Sequence, residues 1–152
     1  MTTATENEDG ELVKQRYLTR VNQLYNNITH WLKERQELRI EQHSVEIGEE
    51  LIGFYTAPTL VISSPTEKLV EFKPEGACII EAEGRIDVLG WLGIEYIIYM
   101  VNGGPILGGQ QMFKDIEVDG WYWTENNLKN KAHLMNQENF QKLFKQATDY
   151  EL

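Results

Sequence analysis

The sequence predicts a single α+β domain over residues 10–150, in which a long N-terminal helix and a short C-terminal helix accompany an antiparallel β-meander sheet. Three observations support this prediction. Apolar residues recur with a helical period near the N-terminus, short β-branched and aromatic runs separated by Gly and Pro fill the middle, and a capped helical stretch comes last. Since no helical pattern separates the strands, the order of elements disfavours β-α-β crossovers and a parallel sheet.

The first element is a helix from about residue 10 to residue 36, preceded by a polar tail at residues 1–9 that we expect to be disordered. Its apolar positions form one wide stripe with a period near 3.6: Tyr17, Leu18, Val21, Leu24, Tyr25, Ile28, Trp31 and Leu32. The stripe covers little more than two heptads, which is short for an independent coiled coil. We therefore expect the helix to pack on the sheet, and homodimerisation through it stays open.

Clusters of Val, Ile, Tyr and Phe in the middle of the chain predict seven strands. These are expected at about 38–47, 50–56, 59–63, 68–73, 77–83, 85–90 and 94–101. Pro58, Pro65 and Pro74 are taken as joints between strands, because proline cannot donate to a β-ladder.

A hairpin and a final helix are predicted in the last third of the chain. Asp119 and Gly120 stand between alternating apolar residues, which predicts a hairpin with arms at 112–118 and 121–124. Asn136 is a favourable N-cap for the terminal helix that follows it.

The glycine-rich loop at 101–111, "VNGGPILGGQQ", partly resembles a phosphate-binding loop. Gly103 and Gly108 have the separation found in such loops, but the lysine and the Ser or Thr that should follow are missing. The sequence therefore favours a mobile hairpin tip over a nucleotide site, and Ile106 and Leu107 at that tip suit contacts with a partner.

Composition and charge exclude several classes of function. The chain carries 14 Lys and Arg against 24 Asp and Glu, a net charge of −10. Such a surface repels phosphate backbones and anionic lipid, so we expect neither nucleic-acid nor membrane binding, whereas a basic protein partner would suit it. Cys78 is the only cysteine and no secretion signal or membrane segment is recognisable, so a cytoplasmic location is expected.

No metal site, cofactor or catalytic residue is assigned from the sequence. His30, His43 and His133 are isolated, and neither HExxH nor CxxC spacing occurs. No serine lies in a G-x-S-x-G motif. Cys78 precedes two isoleucines in a predicted strand and is interpreted as a small core residue.

The stretch "EAEGRIDVLGWLG" at 81–93 carries the main candidate site. Its charged residues of one parity are Glu81, Glu83, Arg85 and Asp87. If 77–90 is one strand bent at Gly84, these side chains form a stripe on one face, while Ile86 and Val88 enter the core. The stripe is interpreted as a carboxylate–arginine cluster for acid–base chemistry, as a solvated outer face, or as a structural Arg–Asp pair that fixes a turn. Arg85 could pair with Glu83 or with Asp87.

Aromatic residues are the second group of candidates. Trp121 and Trp123 should point to one face of a strand and Tyr122 to the other, which leaves either a large exposed aromatic or a fully buried set. Because exposed tryptophans are common interface anchors, Trp91, Trp121 and Trp123 are candidate interaction residues.

The block from Pro74 to Gly93 resembles a pattern in small, uncharacterised bacterial proteins. That pattern joins Pro-x-Gly, an apolar run, Ala-x-Gly-Arg-(Ile/Val)-Asp and a Gly-x-x-Gly connector, followed by a Trp-containing strand and a short terminal helix. The matching residues are Gly76, Ala82, Gly84, Arg85, Asp87, Gly90, Gly93, Trp123 and Phe140. The resemblance covers roughly the C-terminal half and implies a bacterial, intracellular α+β domain, with no activity attached.

Two functional hypotheses follow from the sequence. The first is a non-catalytic acidic protein-binding module of bacterial type, for example an immunity or antitoxin-like protein that neutralises a basic partner. The second is a small hydrolase or lyase that uses Glu81, Glu83, Arg85 and Asp87 in a pocket lined by the sheet.

Overall fold

The computed structural model describes residues 9–78, 82–125 and 131–152. In these residues there are two helices, α1 (Gly10–Trp31) and α2 (Gln137–Thr148). The strands are β1 (Arg39–Glu49), β2 (Gly53–Ser63), β3 (Lys68–Gly76), β4 (Arg85–Gly90), β5 (Ile94–Met100), β6 (Ile106–Leu107), β7 (Gln110–Gln111), β8 (Gly120–Thr124) and β9 (Ala132–Leu134). Seven strands form one antiparallel sheet in the order β1-β2-β3-β4-β5-β8-β9, and β6 pairs with β7. The predicted α+β fold is confirmed.

Helix α1 packs on the sheet through its apolar stripe, as expected. Its buried residues are Val13, Tyr17, Val21, Leu24, Tyr25 and Ile28, all within the main core. The helix ends at Trp31, five residues before the predicted end, and turns follow. Asp9, which the sequence assigned to the tail, caps the helix by accepting from Glu11 N at 3.0 Å. Residues 1–8 of the predicted tail lie outside the described residues.

Strand β2 runs through Pro58, so the prediction of two strands separated at this proline is wrong. Pro58 is accommodated because β2 pairs with β3 only from Leu60, opposite Phe72, onward. If the β2–β3 pairing continued two residues beyond Leu60 and Phe72, Pro58 would face Pro74. Neither proline has a backbone N–H to donate to a ladder. The hydroxyl of Tyr25 on α1 donates at this gap, to Pro58 O at 2.9 Å and Phe72 O at 3.2 Å.

A second gap in the sheet is bridged by Tyr17. The pairing of β3 with β4 shifts register between Pro74 and Gly76. The Tyr17 hydroxyl donates to Arg85 O at 2.8 Å and accepts from Gly76 N at 3.2 Å. Burial raises the pKa of Tyr17 and of Tyr25, so both hydroxyls keep their protons and remain donors at neutral pH.

Helix α2 begins after Asn136, whose side chain accepts from Asn139 N at 2.8 Å, and this confirms the predicted N-cap. Its buried stripe includes Phe140 and Phe144. The C-terminal end of α2 lies directly on β4, because a Cβ at Gly90 would stand only 2.3 Å from Ala147 O.

The predicted hairpin around Asp119 and Gly120 is wrong. Residues 112–118 form no strand, and β8 pairs instead with β5 and with β9. The segment between β5 and β8 covers the sheet face opposite the helices, where Phe113, Met100 and Tyr122 form a second small core. By covering the sheet face, the segment buries Phe113 against Met100 and Tyr122.

Candidate functional site

The backbone around Gly84 forms the bulge that the sequence predicted, although residues 77 and 78 of the predicted strand are not in a strand. Strand β4 begins at Arg85, and just before it Glu83 N donates to Tyr99 O and Tyr99 N donates to Gly84 O, both at 2.9 Å, so two residues oppose one residue of β5. Gly84 has a φ of 153°, and a Cβ there would lie 2.8 Å from the Tyr17 ring, so a side chain is excluded both by conformation and by space. Glu81 lies outside the described residues, as do residues 79 and 80.

Glu83 is directed to the helix side of the sheet, away from the other candidate charges. Its carboxylate accepts from the Arg20 guanidinium of α1 at 3.0 Å. The same guanidinium lies 3.9 Å from the centroid of the Tyr99 ring. Glu83 therefore belongs to a partly buried ion pair that joins α1 to the sheet.

Arg85 and Asp87 form an ion pair on the opposite face of the sheet. Two hydrogen bonds join them, Nε to Oδ1 at 2.7 Å and Nη2 to Oδ2 at 3.2 Å. The alternate residues of β4, Ile86 and Val88, point to the other face and are buried under the helices. Hydrogen bonding to Asp87 raises the pKa of Arg85, so the guanidinium stays charged. This is the Arg–Asp pair anticipated as the structural interpretation, and the structure separates it from Glu83.

Trp121 and Trp123 are buried in the main core, so neither is available to a partner. The indole N–H of Trp121 donates to Arg20 O at 3.0 Å, and that of Trp123 donates to Glu95 Oε1 at 2.9 Å. Tyr122 on the other face is also buried, because the segment after β5 covers it. All three aromatics of β8 are core residues.

Trp91 is the predicted candidate that the structure leaves on the surface, with 66% of its area exposed. Leu92 and Ile94 beside it are also exposed. We call these three residues the Trp91 turn. Its backbone is held by three hydrogen bonds: Gly90 N to Gly93 O at 2.9 Å, Trp91 N to Leu69 O at 3.2 Å and Leu92 N to Ala147 O at 2.8 Å. Gly90 and Gly93 thus bracket the turn, as the sequence predicted.

Cys78 is exposed, so its interpretation as a core residue is wrong, and residues 77 and 78 are not in a strand. The reason lies in Glu49, whose carboxylate accepts from Ala77 N at 3.0 Å, from Cys78 N at 2.7 Å and from the Tyr55 hydroxyl. A side chain therefore satisfies the backbone donors that a strand partner would otherwise take. Local desolvation and then the Glu49 charge raise the pKa of the Cys78 thiol to about 11, so it is a poor nucleophile.

A polar network that the sequence reasoning missed lies across β5, β8 and β9. His133 Nε2 is 2.5 Å from Glu125 Oε2, and the His133 ring lies 5.1 Å from that of Trp123. Trp123 in turn donates to the buried Glu95, which also accepts from Gln146 Nε2 at 3.4 Å. In the sequence, the one sign of this network is Glu95, a carboxylate inside an apolar run. The pairing of Glu125 with His133 could not be predicted, because it depends on the register of β8 with β9.

Three further observations concern metal ions, clefts and membrane-spanning helices. Within the described ranges, no three His, Cys, Asp or Glu side chains lie close enough together to hold a metal ion. A cleft of about 150 Å³ between the helices is lined by residues including Trp31, Phe140 and Leu152, and contains none of the candidate residues. Of the helices in the described ranges, none has the length and apolar character needed to cross a membrane.

Comparisons with known protein families, with curated proteins and with solved structures give no match to this chain.

Proposed function

We propose that this protein is a non-catalytic, acidic protein-binding module of bacterial, cytoplasmic type that binds a basic protein partner. An immunity or antitoxin-like protein that neutralises a basic toxin is the specific form of this proposal. The observation that carries it is the Trp91 turn, an exposed apolar tip on a rigid part of the sheet.

The Trp91 turn has the properties of an interface anchor. Tryptophan is enriched among the residues that contribute most to protein–protein binding, and here Trp91 is accompanied by two exposed aliphatic side chains. Of its three backbone hydrogen bonds, one closes the turn between Gly90 and Gly93, and the other two tie it to β3 and to α2. Because the backbone is already ordered, binding through this turn loses little conformational entropy.

The charge of the chain indicates the chemistry of the partner. Among the described residues, Glu46, Glu50 and Glu67 are exposed carboxylates with no ion-pair partner. Together with the net charge of −10, they produce a negative potential that accelerates encounter with a positively charged protein.

The placement of the candidate charges favours this proposal over the hydrolase or lyase alternative. That alternative uses Glu81, Glu83, Arg85 and Asp87 in one site. Glu81 lies outside the described residues, Glu83 is bound by Arg20, and Asp87 is bound by Arg85 on the other face. Two carboxylates that are each engaged by a guanidinium on different faces cannot divide the acid and base roles of one reaction.

Affinity capture with three forms of the protein tests the proposal. The wild type, W91A and the control F54A are immobilised and exposed to extract of the native host at low and at high salt; Phe54 is 80% exposed but lies outside the Trp91 turn. We expect a basic protein on the wild type and on F54A, with recovery about tenfold lower on W91A and reduced by salt. Equal recovery on W91A, or no specific protein on the wild type, contradicts the proposal.

A further inference from the structure

The segment at 101–119, which joins β5 to β8, has a buried base and an exposed tip. We call it the acidic lobe. Phe113 is buried in the second core, and Met112 and Ile116 pack against that core. These contacts fix the base of the lobe on the sheet face opposite the helices. Ile106 and Leu107 at the tip are 63% and 60% exposed.

The tip of the acidic lobe is a preformed hairpin. Ile106 pairs with Gln111 and Leu107 with Gln110, and the two glycines between these strands have φ values of 60° and 80°. Positive φ at both central residues is the requirement of a type I′ turn, whose twist suits a two-residue hairpin. The hairpin is closed below by Met112 N donating to Pro105 O at 3.0 Å. Two aliphatic side chains are thus presented to solvent in a defined conformation.

The part of the lobe after Phe113, residues 114–119, is negatively charged. It carries Asp115, Glu117 and Asp119 against one basic residue, Lys114. None of these three carboxylates has an ion-pair partner in the part of the chain that the structure describes. Burial raises the pKa of the nearby Tyr122 most, and the negative charges of Glu117 and Asp119 raise it further.

We propose that the acidic lobe is a docking surface for a lysine- and arginine-rich protein segment that carries an apolar side chain. The apolar side chain packs on Ile106 and Leu107, and the cationic groups pair with Asp115, Glu117 and Asp119. This inference rests on the proposed function, since it takes the partner to be a basic protein, and it identifies a surface separate from the Trp91 turn.

Two arguments select a basic protein segment as the occupant. Unneutralised carboxylates in the same segment as an apolar tip repel anionic lipid and nucleic acid, and they attract cationic side chains. Complementary charge around an apolar contact is also the arrangement of protein interfaces, with charged groups at the rim. The Trp91 turn precedes β5 and the lobe follows it, so about 20 Å of strand separates the two surfaces and each can be tested alone.

The test uses a random peptide library selected against the immobilised wild-type protein, followed by fluorescence anisotropy with the enriched peptides. One variant, D115N/E117Q/D119N, removes the lobe charges and keeps the acceptor oxygen that Asp119 offers to Asn102 N. A second variant, I106S/L107S, changes the tip. The matched control E46Q/E50Q/E67Q removes the same number of exposed, unpaired charges elsewhere, and W91A/L92A changes the other surface.

We expect enriched peptides that are basic and contain a large apolar residue. The affinity of those that bind the lobe should fall about tenfold in each lobe variant, stay within twofold in E46Q/E50Q/E67Q, and lose most of its salt dependence in the charge variant. Amide chemical-shift mapping on the wild type should place the changes at 101–119, which does not depend on how any variant folds.

Two results overturn the inference in different ways. Peptides that lose affinity for W91A/L92A but not for the lobe variants, with shift changes around residues 91–94, refute the docking role of the lobe and leave the proposed function intact. A library that yields no basic binder counts against both proposals.

Discussion

Replacing Tyr25 by phenylalanine removes the one hydroxyl that contacts two backbone carbonyl groups, that of Phe72 in a buried contact and that of Pro58 in a partly buried one. The hydroxyl donates to Pro58 O and Phe72 O at the point where the β2–β3 ladder stops. Pro58 and Pro74 cannot replace this donor, because proline has no backbone N–H. Phenylalanine fills the same ring volume, so the packing of α1 on the sheet is retained and only the hydrogen bonding is lost.

The expected cost of Y25F is about 2 kcal/mol in the free energy of unfolding, because a buried acceptor left without a donor costs about 1–3 kcal/mol. In a chain of 152 residues this corresponds to a fall in melting temperature of about 4–8 °C. Urea unfolding followed by circular dichroism measures the free energy, and scanning calorimetry measures the melting temperature.

The matched control is Y150F. The Tyr150 hydroxyl contacts Glu37 Oε2 at 2.9 Å at an exposed site, so the same chemical change should cost less than about 0.5 kcal/mol. Y17F should cost about as much as Y25F, because its hydroxyl bridges Gly76 N and Arg85 O. A Y25F protein that matches Y150F in stability would refute the account of the sheet gap.

The remaining predictions concern other sites in the fold. The pKa of Tyr17 and of Tyr25 is higher in the folded protein than in the unfolded chain, so the unfolded chain loses these protons first as the pH rises. The free energy of unfolding should therefore fall above about pH 10, and it should fall less steeply in Y17F/Y25F. Unfolding at a series of pH values measures both. G90A should cost about 2 kcal/mol because its Cβ meets a carbonyl of α2, whereas G93A, with nothing within 4 Å, should cost less than about 0.5 kcal/mol; equal losses would contradict the close packing. The hydroxyl of Thr59 is buried with no partner in the described residues, so T59V should gain about 1 kcal/mol, and a loss would reveal a hidden partner. With a pKa of about 11, the thiol next to Glu49 should react slowly with a disulfide reagent at pH 8, and E49Q should speed the reaction several-fold; an unchanged rate would exclude the electrostatic cause.

The helices could be predicted from the sequence because their signals are local. The stripe of α1 and the Asn136 cap of α2 depend on residues within a few positions of one another, and both are confirmed. The end of α1 was placed too late, because the hydrophobic pattern continues to Leu32 while the backbone leaves the helical conformation there, with φ −98° and ψ 6°.

The errors concern interactions between residues far apart in the chain. Asp119 and Gly120 carry a strong local hairpin signal, but β8 finds its partners in β5 and β9. Cys78 has a strand-like context, but Glu49, 29 residues earlier, binds its backbone N–H. Local propensity cannot report such a competitor, because the alternative partner is set by the tertiary fold.

The candidate site divides in the same way. The burial of Ile86 and Val88 follows from strand alternation and was predicted, whereas the Arg85–Asp87 pair was one of the alternatives that the sequence left open. The partner of Glu83 depends instead on where α1 crosses the sheet, and that crossing places Arg20 beside it. A stripe of charges drawn from parity alone therefore joined Glu83 to Arg85 and Asp87, although the extra residue at Gly84, where Glu83 and Gly84 both bond to Tyr99, places them on opposite faces.

Strand β4 connects the packing of the fold to its proposed binding surface. At its start, Arg85 O is held by the Tyr17 hydroxyl of α1, and at its end Gly90 lies against α2. The Trp91 turn follows directly and is itself bonded to Ala147 O. Both helices thus fix the strand that carries the exposed tryptophan. An exposed apolar turn contributes nothing to the core, and the proposed binding of a partner there would account for its rigid support.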